Sequence, residues 1–80
     1  MPSDVQYRVV VRKGEERVAG DDDAQLIVTV PYSVASADDF DATAEYMRGR
    51  LKAAGHTGVL FRVLSDGTAQ TELLRLASDL

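Results

Sequence analysis

Cysteine and tryptophan are absent from the 80 residues, histidine occurs once and proline twice. Without cysteine there is no disulfide framework, no thiol nucleophile and no cysteine-ligated zinc or iron–sulfur centre. A single histidine, His56, cannot supply a two-histidine metal site. The chain also lacks a nucleophile-elbow G-x-S-x-G, a Walker A loop and a G-x-G-x-x-G after its first strand. Apolar runs are short: Val9-Val10-Val11, Leu26-Ile27-Val28 and Gly58-Val59-Leu60-Phe61 fall far below the ~20 residues that span a bilayer. Met1-Pro2-Ser3-Asp4 leads into an alternating strand rather than a basic stretch and an apolar run. No signal peptide is therefore expected, and the expected location is cytoplasmic.

What is present is globular in character. Apolar residues make up 45% and charged residues 28%, in a length that suits one domain over 1–80. The net charge of −4 is unevenly spread. Residues 1–20 carry four cations and three anions, 21–45 carry seven anions and no cation, and 46–80 carry five cations and three anions. An acidic block between two mildly basic flanks can orient a partner without identifying it. Seven arginines against two lysines, with ten alanines and ten valines, suggest a GC-rich bacterial or phage genome.

Hydrophobic periodicity predicts the elements. Val5 to Lys13 reads as a strand with Tyr7, Val9 and Val11 on one face and Arg8, Val10 and Arg12 on the other. Gly14 suits a hairpin turn. Arg17-Val18-Ala19 is either a brief returning strand or part of a mobile acidic loop over 13–24, the latter being the expectation adopted. From Ala24 a second main strand places Leu26, Val28 and Val30 together. Ser36-Ala37-Asp38-Asp39 resembles a capping box, and Phe40, Ala44, Met47, Leu51 and Ala54 recur at helical spacing. A helix is predicted from about 37 to 54, with Gly55 at its C′ position. VLFRVLS alternates as a third strand. The tail from Ala69 favours a helix with Leu73, Leu76, Ala77 and Leu80 on one face.

The predicted fold is α+β, a two-layer sandwich of order β-β-α-β-α with a small mixed sheet. Its first two main strands form an antiparallel hairpin, and its second and third are joined as a parallel βαβ unit. A strand at the tail would give ββαββ instead, which is similar in element order to the β-grasp architecture.

Few residues point to chemistry. Gly55-His56-Thr57-Gly58 spells GxxG, but the predicted context of helix to strand differs from the nucleic-acid-clamping loop of KH domains. Asp21-Asp22-Asp23 lacks the spacing of a calcium loop, and Asp38, Asp39 and Asp41 are explained by capping and the helix dipole. No catalytic residue, cofactor, metal or small-molecule substrate is expected. Two surface patterns remain. Arg8, Arg12 and Arg62 would share an open sheet face, where planar donor forks can hold phosphates or carboxylates. Ala42, Tyr46, Gly49 and Ala53 would form a stripe of small residues beside a tyrosine, roughly 140° around the helix from its core side. The expected function is a non-enzymatic protein-interaction domain that self-associates or docks into a larger assembly through that stripe. A nucleic-acid-binding module using the arginines, or an acidic inhibitor or immunity-type protein, are the alternatives.

Overall fold

The computed structural model describes residues 5–78. Along β1 (Val5–Arg12), Val5, Tyr7 and Val9 alternate onto one side and are buried. Lys13-Gly14 turns the chain, with Gly14 at φ 81°, into β2 (Glu15–Ala19), antiparallel to β1 with a bulge between Val10 and Arg12. The stretch expected as a mobile loop over 13–24 thus contains a strand.

β3 (Leu26–Pro31) pairs with the other edge of β1 and runs parallel to it, Val5 opposite Leu26 and Val9 opposite Val30. Residues 20–25 therefore cross the start of β1. Gly20 permits the crossing: at φ 107° a Cβ there would overlap the Val5 carbonyl oxygen. Asp22 then fastens the crossing segment, accepting a 2.8 Å hydrogen bond from Nε2 of the fully buried Gln6. β4 (Lys52–Gly55) adds antiparallel to β3, completing a four-stranded sheet of order β2-β1-β3-β4. Gly55 is the second obligatory glycine, its backbone lying where a side chain would strike the Gln25 carbonyl. The hairpin expected between the two main strands is corrected to β1–β2. The expected parallel βαβ unit is corrected to parallel pairing of β1 with β3.

The helices are α1 (Tyr32–Ala35), α2 (Ala42–Met47), α3 (Thr57–Ser65) and α4 (Thr68–Ser78). The fold is α+β, with element order β-β-β-α-α-β-α-α. The single helix expected over 37–54 is replaced by a loop, α2, a turn and β4, because the capping residues act elsewhere. Ser36 closes α1, and Asp41 is the N-cap of α2, accepting from the Ala44 amide at 3.1 Å. Gly49, at φ 81°, stops α2: its amide donates to the Tyr46 carbonyl and the Arg50 amide to the Glu45 carbonyl, the paired bonds of a Schellman ending. The run VLFRVLS, expected as a strand, is α3. His56 Nδ1 caps it by accepting from the Val59 amide at 3.2 Å, and Val59, Leu60 and Val63 bury one side. The predicted tail helix is α4, burying Ala69, Leu73, Leu76 and Ala77; Leu80 lies outside the described residues.

These helices pack on the sheet face bearing Val5, Tyr7, Val9, Leu26, Val28 and Val30, which with Leu51, Leu60, Val63 and Leu73 form one core. The opposite face carries Arg8, Val10, Ile27 and Thr29, all half-buried.

Candidate interaction surface

Of the exposed large apolar side chains Val18, Met47, Phe61 and Leu74, the two most exposed gather between α2 and α3. Met47, at the last position of α2, is 78% exposed, and Phe61, in the middle of α3, is 55% exposed. With Tyr46, Leu64 and Gly58 they line a groove of about 550 Å³, which Thr43, Arg62 and Ser65 complete. On α3 the helical period sets this geometry. Val59, Leu60 and Val63 face the core, so Gly58, Phe61, Arg62 and Ser65 point away from it. On α2, Ala42 is buried while Tyr46 is half-buried against the core and also lines the groove.

The end of α2 is fixed by an ion-pair clasp. Glu45 is buried, and its Oε1 accepts hydrogen bonds from Arg48 Nη1 at 2.8 Å and Arg50 Nη2 at 2.7 Å. Burial pushes the Glu45 carboxyl up, but the hydrogen bonds and charges of Arg50 and Arg48 outweigh it, leaving the group below its ordinary value. Charge-assisted bonds on a buried oxygen hold the segment that presents Met47. At the far end of α3, hydrogen bonding from Thr68 holds the Asp66 carboxyl low.

Of the residues singled out in the sequence, Ala42, Tyr46, Gly49 and Ala53 do not form a stripe. Ala42 is buried, Gly49 is in the turn after α2, and Ala53 is on β4 opposite Val28, packed against the core. Tyr46 alone meets the groove. The arginines are not assembled either. Arg8 lies on the open face, donating to Glu16 at 3.0 Å and to Gln6 Oε1 at 2.7 Å. Arg12 pairs with Glu15, and Arg62 is on α3, in the other layer. The face expected to hold three arginines holds salt-bridged side chains of both signs. Compared with family models, curated proteins and solved structures, the chain matches none. The groove is accordingly read from its own geometry.

Among the described residues no group of three or more His, Asp or Glu side chains is placed to hold a metal ion, and no helix is long and apolar enough to cross a membrane. Tyr7 presents a buried hydroxyl without a hydrogen-bond partner among the described residues; burial, followed by the charges of Glu72 and Asp66, pushes it up to about 12. The sequence singles out neither Met47, which falls in the apolar stripe of the predicted helix, nor Phe61, which falls in a predicted strand. Reading VLFRVLS at helical period would have exposed Phe61.

Proposed function

We propose that the protein is a non-enzymatic interaction domain of the cytoplasm whose contact surface is the α2–α3 groove. One observation carries the reading: Met47 and Phe61, from two different helices, are exposed side by side over an apolar depression. Exposed apolar side chains scattered singly need no explanation, whereas a contiguous patch around a recess is the pattern of a contact site. Aromatic residues and methionine are also the types enriched at protein interfaces. Supporting the reading, the Glu45 clasp and the Asp41 and His56 caps hold both walls before any partner arrives, which lowers the ordering cost of association.

The test is photo-crosslinking in cells that express the protein, with a benzophenone amino acid at position 61 and, as control, at position 12. Protein adducts at position 61 and none at 12 are the expected outcome. Equal labelling at both positions, or none at 61, overturns the reading.

A further inference from the structure

We infer that the recess between the start of β1 and the start of α4 binds a primary ammonium group on a short alkyl chain, with the buried Tyr7 hydroxyl and the Glu72 carboxylate as its acceptors. None of the residues lining this recess borders the α2–α3 groove, so the site stands whether or not that groove takes a partner.

The recess has a volume of about 320 Å³, near the lower end of the roughly 300–1,000 Å³ typical of small-molecule sites. β1 supplies Val5 and Tyr7, the end of β2 and the crossing after it supply Ala19 and Gly20, and α4 supplies Thr68 and Glu72. The Tyr7 hydroxyl is the one buried side-chain polar atom without a hydrogen-bond partner among the described residues. Buried polar groups in native proteins are nearly always paired, so one left unpaired at a cost to folding points to a task other than folding. The ring reaches from the sheet toward the α3–α4 corner, where Glu72 and then Asp66 act on the hydroxyl more strongly than Arg62 does. Its polar end thus sits in a negative field beside the recess that Glu72 walls.

That field selects the charge of the ligand. An oxyanion could accept from the phenol but would be repelled by Glu72 and Asp66. A hard metal ion wants about six oxygen ligands, and among the described residues no group of three or more His, Asp or Glu side chains is placed to hold one. An ammonium group has three donors and no acceptor. The Glu72 carboxylate and the Tyr7 and Thr68 hydroxyls offer it three acceptors around one recess, and Val5 and Ala19 offer apolar surface to its stem. Asp66 already accepts from the Thr68 amide at 2.9 Å, whereas Glu72 has an exposed pair with Arg75 at 3.3 Å and lone pairs to spare. The Tyr7 hydroxyl is closed to solvent in the free chain, so entry requires the Glu72 or the Thr68 side chain to turn aside at the lip. Thr68 is exposed and the Arg75 pair is of the weak surface kind, so neither side chain is locked.

The test is a titration of the isotopically labelled chain at neutral pH with n-butylammonium, and with n-butanol and butyrate at matched ionic strength, followed by amide spectra. Saturable shifts of the Val5, Gly20 and Thr68 amides with butylammonium alone are expected. Glu72→Gln should weaken binding by about tenfold or more, because a charge-assisted hydrogen bond is lost. Tyr7→Phe should also weaken it about tenfold while melting no lower than wild type in amine-free buffer, a combination that a purely structural hydroxyl would not give. Nα-acetyl-lysine methylamide separates the two sources of the group: affinity equal to that of butylammonium supports a lysine side chain of a polypeptide, and binding of butylammonium alone supports a free amine. No saturable shift with either amine, equal shifts with butanol or butyrate, or undiminished binding by Glu72→Gln or Tyr7→Phe overturns the assignment.

Discussion

Removing the Tyr7 hydroxyl should make the protein more stable. The side chain is 5% exposed, its ring packed between the sheet and the helices, and its hydroxyl oxygen is buried without a partner among the described residues. Burying a hydroxyl without a compensating hydrogen bond costs about 1–3 kcal/mol on protein mutational scales. Phenylalanine keeps the ring and its contacts, so Tyr7→Phe is expected to gain about 1–2 kcal/mol. For a domain of this size each kcal/mol moves Tm by about 4–8 °C, so the shift is readily read by circular dichroism at neutral pH. The alkaline limb gives an independent check. In the folded chain the phenol is pushed from 10.0 up to about 12. The unfolded chain therefore loses this proton first as pH rises, and stability falls between those two values. That difference is worth about 3 kcal/mol, and it should be missing from Tyr7→Phe. The gap between variant and wild type must therefore widen from neutral pH toward pH 12. A variant that melts lower than wild type at pH 7 would show that the hydroxyl is bonded in solution and refute the reasoning.

Three further substitutions test other parts of the structure. In Glu45→Gln the clasp on Arg48 and Arg50 loses its charge; because Glu45 titrates below its ordinary 4.5, its stabilisation is complete above that value and is lost on further acidification. The variant should melt lower at neutral pH and show a flatter fall in Tm below pH 4.5, and an unchanged acid profile would remove the clasp from the account. Gly49→Ala forces a side chain into φ 81° at the end of α2, in open space, so it should cost about 1–2 kcal/mol in denaturant unfolding from backbone strain alone. Ala53→Glu puts a charge on β4 against the core beside Val28, so a loss of about 1–3 kcal/mol is expected at every protein concentration; a loss seen only in association would contradict its placement.

The sequence made some elements readable and disguised others. β1 and β3 are legible from strict alternation, Val5, Tyr7 and Val9 and then Leu26, Val28 and Val30, while in the tail the helical spacing of Ala69, Leu73 and Leu76 outweighs the strand alternative. The middle of the chain misled because two glycines compete as helix stops. Gly49 ends α2, while Gly55 serves a close approach of β4 to Gln25, and only the tertiary fold distinguishes these duties. In VLFRVLS, Val59 and Val63 satisfy both a strand and a helix, so β-branched composition favoured the wrong period until the His56 cap and packing against the core decided it. The candidate site inherited both errors. Phe61 lies where the period differs from the expected one, and Met47 lies in a helix whose buried face is Ala42 and Glu45 rather than the predicted stripe.

The crossing of residues 20–25 over the start of β1 carries an expectation for the order of assembly. The first strand in the chain ends up as an inner strand, with β2 on one flank and β3 on the other. The β1–β2 hairpin closes over a two-residue turn and can form locally, but β3 must travel around the end of that hairpin to reach the vacant flank. The Asp22–Gln6 bond ties the crossing segment to β1 ahead of β3. β4 pairs with β3 alone over four positions, fewer than β2 makes with β1, so it is expected to fray first. Native-state hydrogen exchange should accordingly rank the amides of β1 as slowest and those of β4 as fastest within the sheet. Slow exchange in β1 and fast exchange in β4 would thus mark the inner pair of strands as the sheet's lasting part.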